Sequence, residues 1–128
     1  MQKNAVPSGF KVLRSTQCDE DLEAIFDHLF EAYRDLGDDH LEAFTRAVDR
    51  VRGIEDALAA LGDIPLQGTL LSDIMTGLRH VTKNSAVFYF LTDKEDRTVR
   101  VLAAFFSGQD HKQRILLRLM AKGTTSVQ

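Results

Sequence analysis

Arg79, His80 and Lys83 stand in the stretch GLRHVTKNSAVFYF, just ahead of the most apolar run of the chain, Ala86 to Leu91. Further cationic or titratable groups belong to the same strand-rich portion: Tyr89, Arg97, Arg100, His111, Lys112, Arg114 and Arg118. Scattered Lys and Arg residues mostly serve to solvate an exposed sheet. Arg79 is set apart by its place beside Gly77 at a strand start, where the next strand turns continuously apolar. A charge there needs a partner or a ligand. Binding of an anion or of a partner is therefore the chemistry these residue types point to, with Arg79, Lys83, Arg100 and Arg114 as candidate contacts.

Other chemistries find less support. His28, His40, His80 and His111 with the single cysteine, Cys18, lack the ligand spacing that zinc demands, so no metal site is expected. Cys18 has no local base and reads as a buried thiol. No glycine loop of the phosphate-cradling kind and no dinucleotide signature occurs, so no cofactor is expected. The acids Asp19, Glu20, Asp21, Glu23, Asp38 and Asp39 read as a solvated helix face, since general acid–base work would need them desolvated in a cleft.

The elements that must position these groups follow from periodicity. Phe10 to Arg14, after the Pro7-Ser8-Gly9 breaker, reads as a short strand. A helix follows, with Thr16 and Asp19 as capping box and Leu22, Ile25, Phe26, Leu29, Phe30, Tyr33 and Leu36 as its apolar stripe. Gly37 stops it, and Asp39 with Glu42 caps a second helix whose face is Leu41, Phe44, Val48 and Val51, drifting to Ile54, Leu58 and Leu61. The very short connection predicts an antiparallel helical hairpin. IPLQGTLLSDIMTG reads as a crossing loop with about one helical turn.

Period two then predicts strands over Leu78 to Val81, Ala86 to Leu91 and Thr98 to Phe106, the last two joined by the polar turn TDKEDR. Asp110 caps a final helix carrying Ile115, Leu116, Leu119 and Met120, frayed beyond Gly123. The order β-α-α-β-β-β-α predicts an α+β domain. A mainly antiparallel sheet of about four strands is covered on one face by the hairpin, and its open face displays Arg79 beside Tyr89 or Arg100.

At 128 residues and 44% hydrophobic, one domain is the natural reading, with a core from about 10 to 120 and flexible ends over 1–9 and 123–128. The apolar runs are too short for a membrane span, and the first residues carry no signal-peptide pattern, so the cytoplasm is the expected compartment. The net charge of −3 is unevenly spread. Residues 1–17 hold three bases and no acid, 18–63 hold 14 acids and four bases, and 64–128 hold nine bases and five acids. A basic front and back enclose an acidic middle.

DLEAIFDHL on the first helix, IPLQGTL at the end of the second, then GLRHVTKNSAVFYF and VRVLAAFFSGQDH form an ordered pattern. In that order and spacing the chain resembles the RelE/ParE superfamily of toxins of bacterial type II toxin–antitoxin modules, on the ParE-like, plasmid-stabilisation side, from about Phe10 to about Leu119. The resemblance implies a growth-inhibiting toxin wrapped and neutralised by a cognate antitoxin. ParE-like members are understood as poisons of DNA gyrase without catalysis of their own; RelE-like members cleave messenger RNA on the ribosome. By position, Arg79 matches the strand arginine, and His111 with Arg114 falls near the segment where the nucleases carry functional groups.

The acidic balance and the lack of a dense Lys–Arg cluster on the sheet favour the gyrase-binding reading, because ribosome docking is dominated by phosphate electrostatics. Under the ribonuclease alternative, His80 or His111 would be the base, Tyr89 the proton donor and Arg79 the cation for the phosphate. A degenerate binding scaffold is the third reading. Phe30, Ile54 or Phe106 could supply an apolar surface for the antitoxin.

Overall fold

A computed structural model describes residues 9–106 and 110–126, with side chains as far as Ala121. Its elements are β1 (Lys11–Arg14), α1 (Thr16–Asp35), α2 (His40–Ala59), a 3-10 turn (Ala60–Asp63), β2 (Thr69–Leu70), β3 (Leu78–Lys83), β4 (Ala86–Asp93), β5 (Thr98–Phe106) and α3 (His111–Ser126). The expected α+β class and the β-α-α-β-β-β-α order hold, with one addition. Thr69–Leu70, read from sequence as loop, is a two-residue strand at the sheet edge, too short for period two to register. Residues 1–8 and 127–128, within the ends expected to be flexible, lie outside the described residues. α3 runs through Gly123, a residue that costs only about 1 kcal/mol inside a helix.

Among the described residues five strands form one sheet in the order β1-β5-β4-β3-β2. β1 pairs parallel with β5, and the other neighbours are antiparallel. Asn84 and Ser85, both with positive φ, make the two-residue turn between β3 and β4, as the strand twist of a tight hairpin favours. Register slips once, where Tyr89 faces Ala103 but Phe90 faces Val101, so Leu102 has no counterpart in β4. That bulge turns its carbonyl outward to accept from Ser15 Oγ at 3.3 Å and from Arg118 at 3.2 Å.

α1 begins one residue earlier than its expected cap. Ser15, extended at the end of β1, accepts from the Cys18 amide at 3.0 Å, while Asp19 pairs instead with Arg14 at 2.8 Å. The Asp39–Glu42 capping box is present as expected. α2 buries Ala43 and Ala47 completely, whereas Leu41 stays exposed and Phe44, about half exposed, meets α1 at its margin, edge-on to Phe26 with ring centroids 5.5 Å apart. Small side chains there let two helices approach closely, which moves the buried stripe away from the larger residues.

Two apolar cores result. One lies between the helical hairpin and the sheet, built from Leu22, Ile25, Leu29, Ile54 and Leu58 against Phe88, Phe90, Val99, Val101 and Ala104. The other lies on the opposite face, where Ile115 and Leu119 of α3, with Leu71, Ile74 and Met75, cover Leu78, Val87, Tyr89, Ala103 and Phe105. The expected open face is therefore largely closed. Gly62 shows how tightly β1 is held. Its carbonyl accepts from the Phe10 amide at 2.8 Å, and a Cβ on it would stand 2.1 Å from the Phe10 carbonyl oxygen.

Candidate functional site

The α3 side of the sheet brings three of the candidate residues together. His80 on β3 lies directly opposite Tyr89 on β4, and such antiparallel partners share a face. Their rings stack, centroids 5.4 Å apart and 25° from parallel. His111, the first residue of α3, places Nδ1 2.8 Å from the Tyr89 hydroxyl, and its ring is 6.3 Å from that of His80. Which of the two donates depends on the imidazole tautomer.

Desolvation shapes both β-strand members of this cluster. Tyr89 is fully buried, and burial pushes its phenol above the usual value, so it keeps its proton. His80 is held below the ordinary imidazole value, first by desolvation and then by the neighbouring His111 and Lys112. Its Nδ1 is buried and finds no hydrogen-bond partner among the described residues. A proton can pass between the Tyr89 phenol and the His111 imidazole along their hydrogen bond. A substrate would meet it through half-buried His80 and His111, since Tyr89 is sealed.

Arg79 is elsewhere. It faces Phe90, whose ring belongs to the hairpin-side core, and so it shares a face with Val81 and not with Tyr89. Its guanidinium donates to the Leu66 carbonyl at 2.9 Å. The expected position on an open face beside Tyr89 or Arg100 is thereby corrected. Parity along β3 separated Arg79 and Val81 from Leu78 and His80, but the pairing with β4 decides which pair looks toward the helices. Lys83 faces Ala86 and lies on the hairpin side as well.

Arg100 falls on the other face, opposite Leu91 and beside Leu13. It is exposed at the edge of a hollow of about 510 Å³ that Leu91, Lys94 and Thr98 also line. Arg114 is exposed on α3, its guanidinium 4.8 Å above the Phe105 ring. The four cations proposed to bind a target or phosphate thus divide, two to each side of the sheet. No group of His, Cys, Asp and Glu that could hold a metal occurs among the described residues.

No protein-family model matches the chain, nor does any curated protein at a significant level. Solved structures do. A chain of the chromosomal ParDE TA system from P. aeruginosa superposes with a TM-score of 0.58 at 18% identity, covering 77% of this chain and 97% of that one. A chain of the toxin–antitoxin complex RelBE2 from Mycobacterium tuberculosis gives 0.53 at 17% identity, covering 81% and 98%. The chain shares its fold with these two chains.

Within that fold, the tether of α3 escaped the sequence reading. Asp21, assigned to a solvated face, is buried, and its carboxylate accepts from both Arg118 Nη atoms at 2.8 Å and from the Ala104 amide at 3.0 Å. Hydrogen bonding to Asp21 raises the Arg118 guanidinium further above its usual value. A signal was present. Asp21 lies three residues after Cys18 and four before Ile25, which puts it on the same buried stripe. Cys18, fully buried beside it, has its thiol pushed up to about 12, chiefly by desolvation. Of the residues expected to receive an antitoxin, Ile54 is wholly inside the core, whereas Phe30 and Phe106 are half-buried.

Proposed function

We propose that this chain is the toxin of a type II toxin–antitoxin module, that it inhibits growth by binding a protein target such as DNA gyrase, and that a cognate antitoxin neutralises it. Support for the module type comes from the fold, shared with chains of the ParDE and RelBE2 systems. Support for binding without catalysis comes from one observation. The cation assigned to the phosphate by the resemblance, Arg79, faces the hairpin side, while His80, Tyr89 and His111 gather under α3. A cation stabilises a transition state only when it lies within a few ångströms of the developing charge. A gyrase target implies the cytoplasm, and no helix among the described residues is long and apolar enough to cross a membrane.

The second reading, a ribosome-dependent ribonuclease, is favoured by the convergence of His80, Tyr89 and His111. Inducible expression in bacteria, with and without the product of the adjacent open reading frame, separates the two. Filamentation with a DNA-damage response, relieved by the neighbouring product, is the expected result. Rapid translational arrest with cut transcripts would support the nuclease. Normal growth would overturn both and leave a non-toxic scaffold.

A further inference from the structure

α3 has two apolar sides, and one of them packs on the sheet. Ile115 is buried on the sheet and Leu119 is packed there. On the reverse side, Leu116, Leu117 and Met120 are 42, 58 and 66% exposed. With Gln113 they follow the i, i+3, i+4, i+7 spacing that lines a single helix face. Leucines left in water in such a row form the kind of patch that marks an interaction surface.

The margins of this stripe carry charge of one sign. At 100° per residue, Lys112 and Arg114 fall on its two flanks, and both are exposed. No acid occurs after Asp110. We propose that the outward face of α3 is a docking surface for an acidic amphipathic helix of a partner polypeptide, its apolar row on Leu116, Leu117 and Met120 and its carboxylates on Lys112 and Arg114. The inference rests on reading the chain as one half of a two-protein module, and adds where the other half sits and what chemistry it presents.

Charge selects this occupant over two others. A second copy apposing its own α3 would set Lys112 and Arg114 against their equivalents, and like charges across an interface disfavour it. An anionic membrane would also attract a basic amphipathic helix. It would, however, repel the helical hairpin, whose segment 18–63 carries 14 acids against four bases and whose Asp21 is joined directly to α3.

The test titrates the full chain into two fluorescein-labelled helical peptides with the same leucine row, one flanked by glutamates and one by lysines, and reads anisotropy. The glutamate peptide is expected to bind at least tenfold more tightly, and the preference to weaken as salt rises. Leu117→Glu, at an exposed position, should reduce that affinity at least tenfold with an unchanged circular dichroism spectrum. Lys112→Glu with Arg114→Glu should transfer the preference to the lysine peptide. Equal binding of both peptides, binding of neither, or indifference to Leu117→Glu would overturn the proposal. So would self-association abolished by Leu117→Glu in sedimentation, or uptake by phosphatidylglycerol vesicles without peptide binding. Because binding is read without cells, its failure is distinguishable from an absence of toxicity.

Discussion

Removing Arg118 from the tether of α3 should destabilise the fold far more than an average surface substitution. The Asp21 carboxylate is 7% exposed and the Arg118 side chain 17%, so most of the pair is out of water. Arg118→Met keeps the aliphatic stem beside Phe105, whose ring lies 5.1 Å from the guanidinium carbon, but leaves the carboxylate, among the described residues, with the Ala104 amide alone. A buried charge stripped of its partner costs about 3–5 kcal/mol. The lower end applies here, about 3 kcal/mol, because the pair is not wholly sealed. In a chain of this size that corresponds to a melting temperature lower by about 10 °C. Asp21→Asn removes the stranded charge, so Asp21→Asn/Arg118→Met should recover about 1–2 kcal/mol of the loss and yield a clear coupling energy in a double-mutant cycle. Urea unfolding followed by circular dichroism supplies all four values. An Arg118→Met cost below about 1 kcal/mol, the range of an exposed ion pair, would refute the reasoning.

Three further outcomes follow from the packing. Because the folded chain holds the His80 imidazole below its ordinary value of about 6.5, the unfolded chain binds more protons between those two values. Stability should thus be complete above about 6.5 and decline as pH falls through the folded value; urea titrations should show this, and His80→Gln should flatten it. Cys18, fully buried with its thiol near 12, should react with a disulfide reagent only at the rate the fold opens, and prompt stoichiometric labelling would contradict its placement. Gly62→Ala drives a methyl into the Phe10 backbone and should cost about 2–3 kcal/mol, read as a lowered thermal midpoint.

Local signals carried the parts of the fold that depend on nearby residues. The Asp39–Glu42 box, the short link between α1 and α2 and the apolar strand runs of β3, β4 and β5 were all legible, because capping, loop closure and strand patterning act within a few positions. What depends on distant partners was not. The side that Arg79 faces is set by Phe90 across the strand pair, and the burial of Asp21 becomes unambiguous only with Arg118, 97 residues away. Leu41 and Phe44 looked like core because they are large, whereas the fully buried positions are Ala43 and Ala47, with Phe44 only edging Phe26 at the margin. His80, Tyr89 and His111 were nameable as a set, yet only the docking of α3 joins them.

Toxicity of a doubly substituted chain tests most directly the claim that binding, and not proton transfer, does the work. Tyr89→Phe/His111→Gln abolishes the 2.8 Å contact while keeping ring and polar bulk, and folding can be verified by its melting curve. Induced in bacteria, this variant is expected to arrest growth, with filamentation and intact transcripts, to the same extent as the parent. A folded variant that grows normally, beside a parent that arrests growth and leaves cut transcripts, would contradict the account.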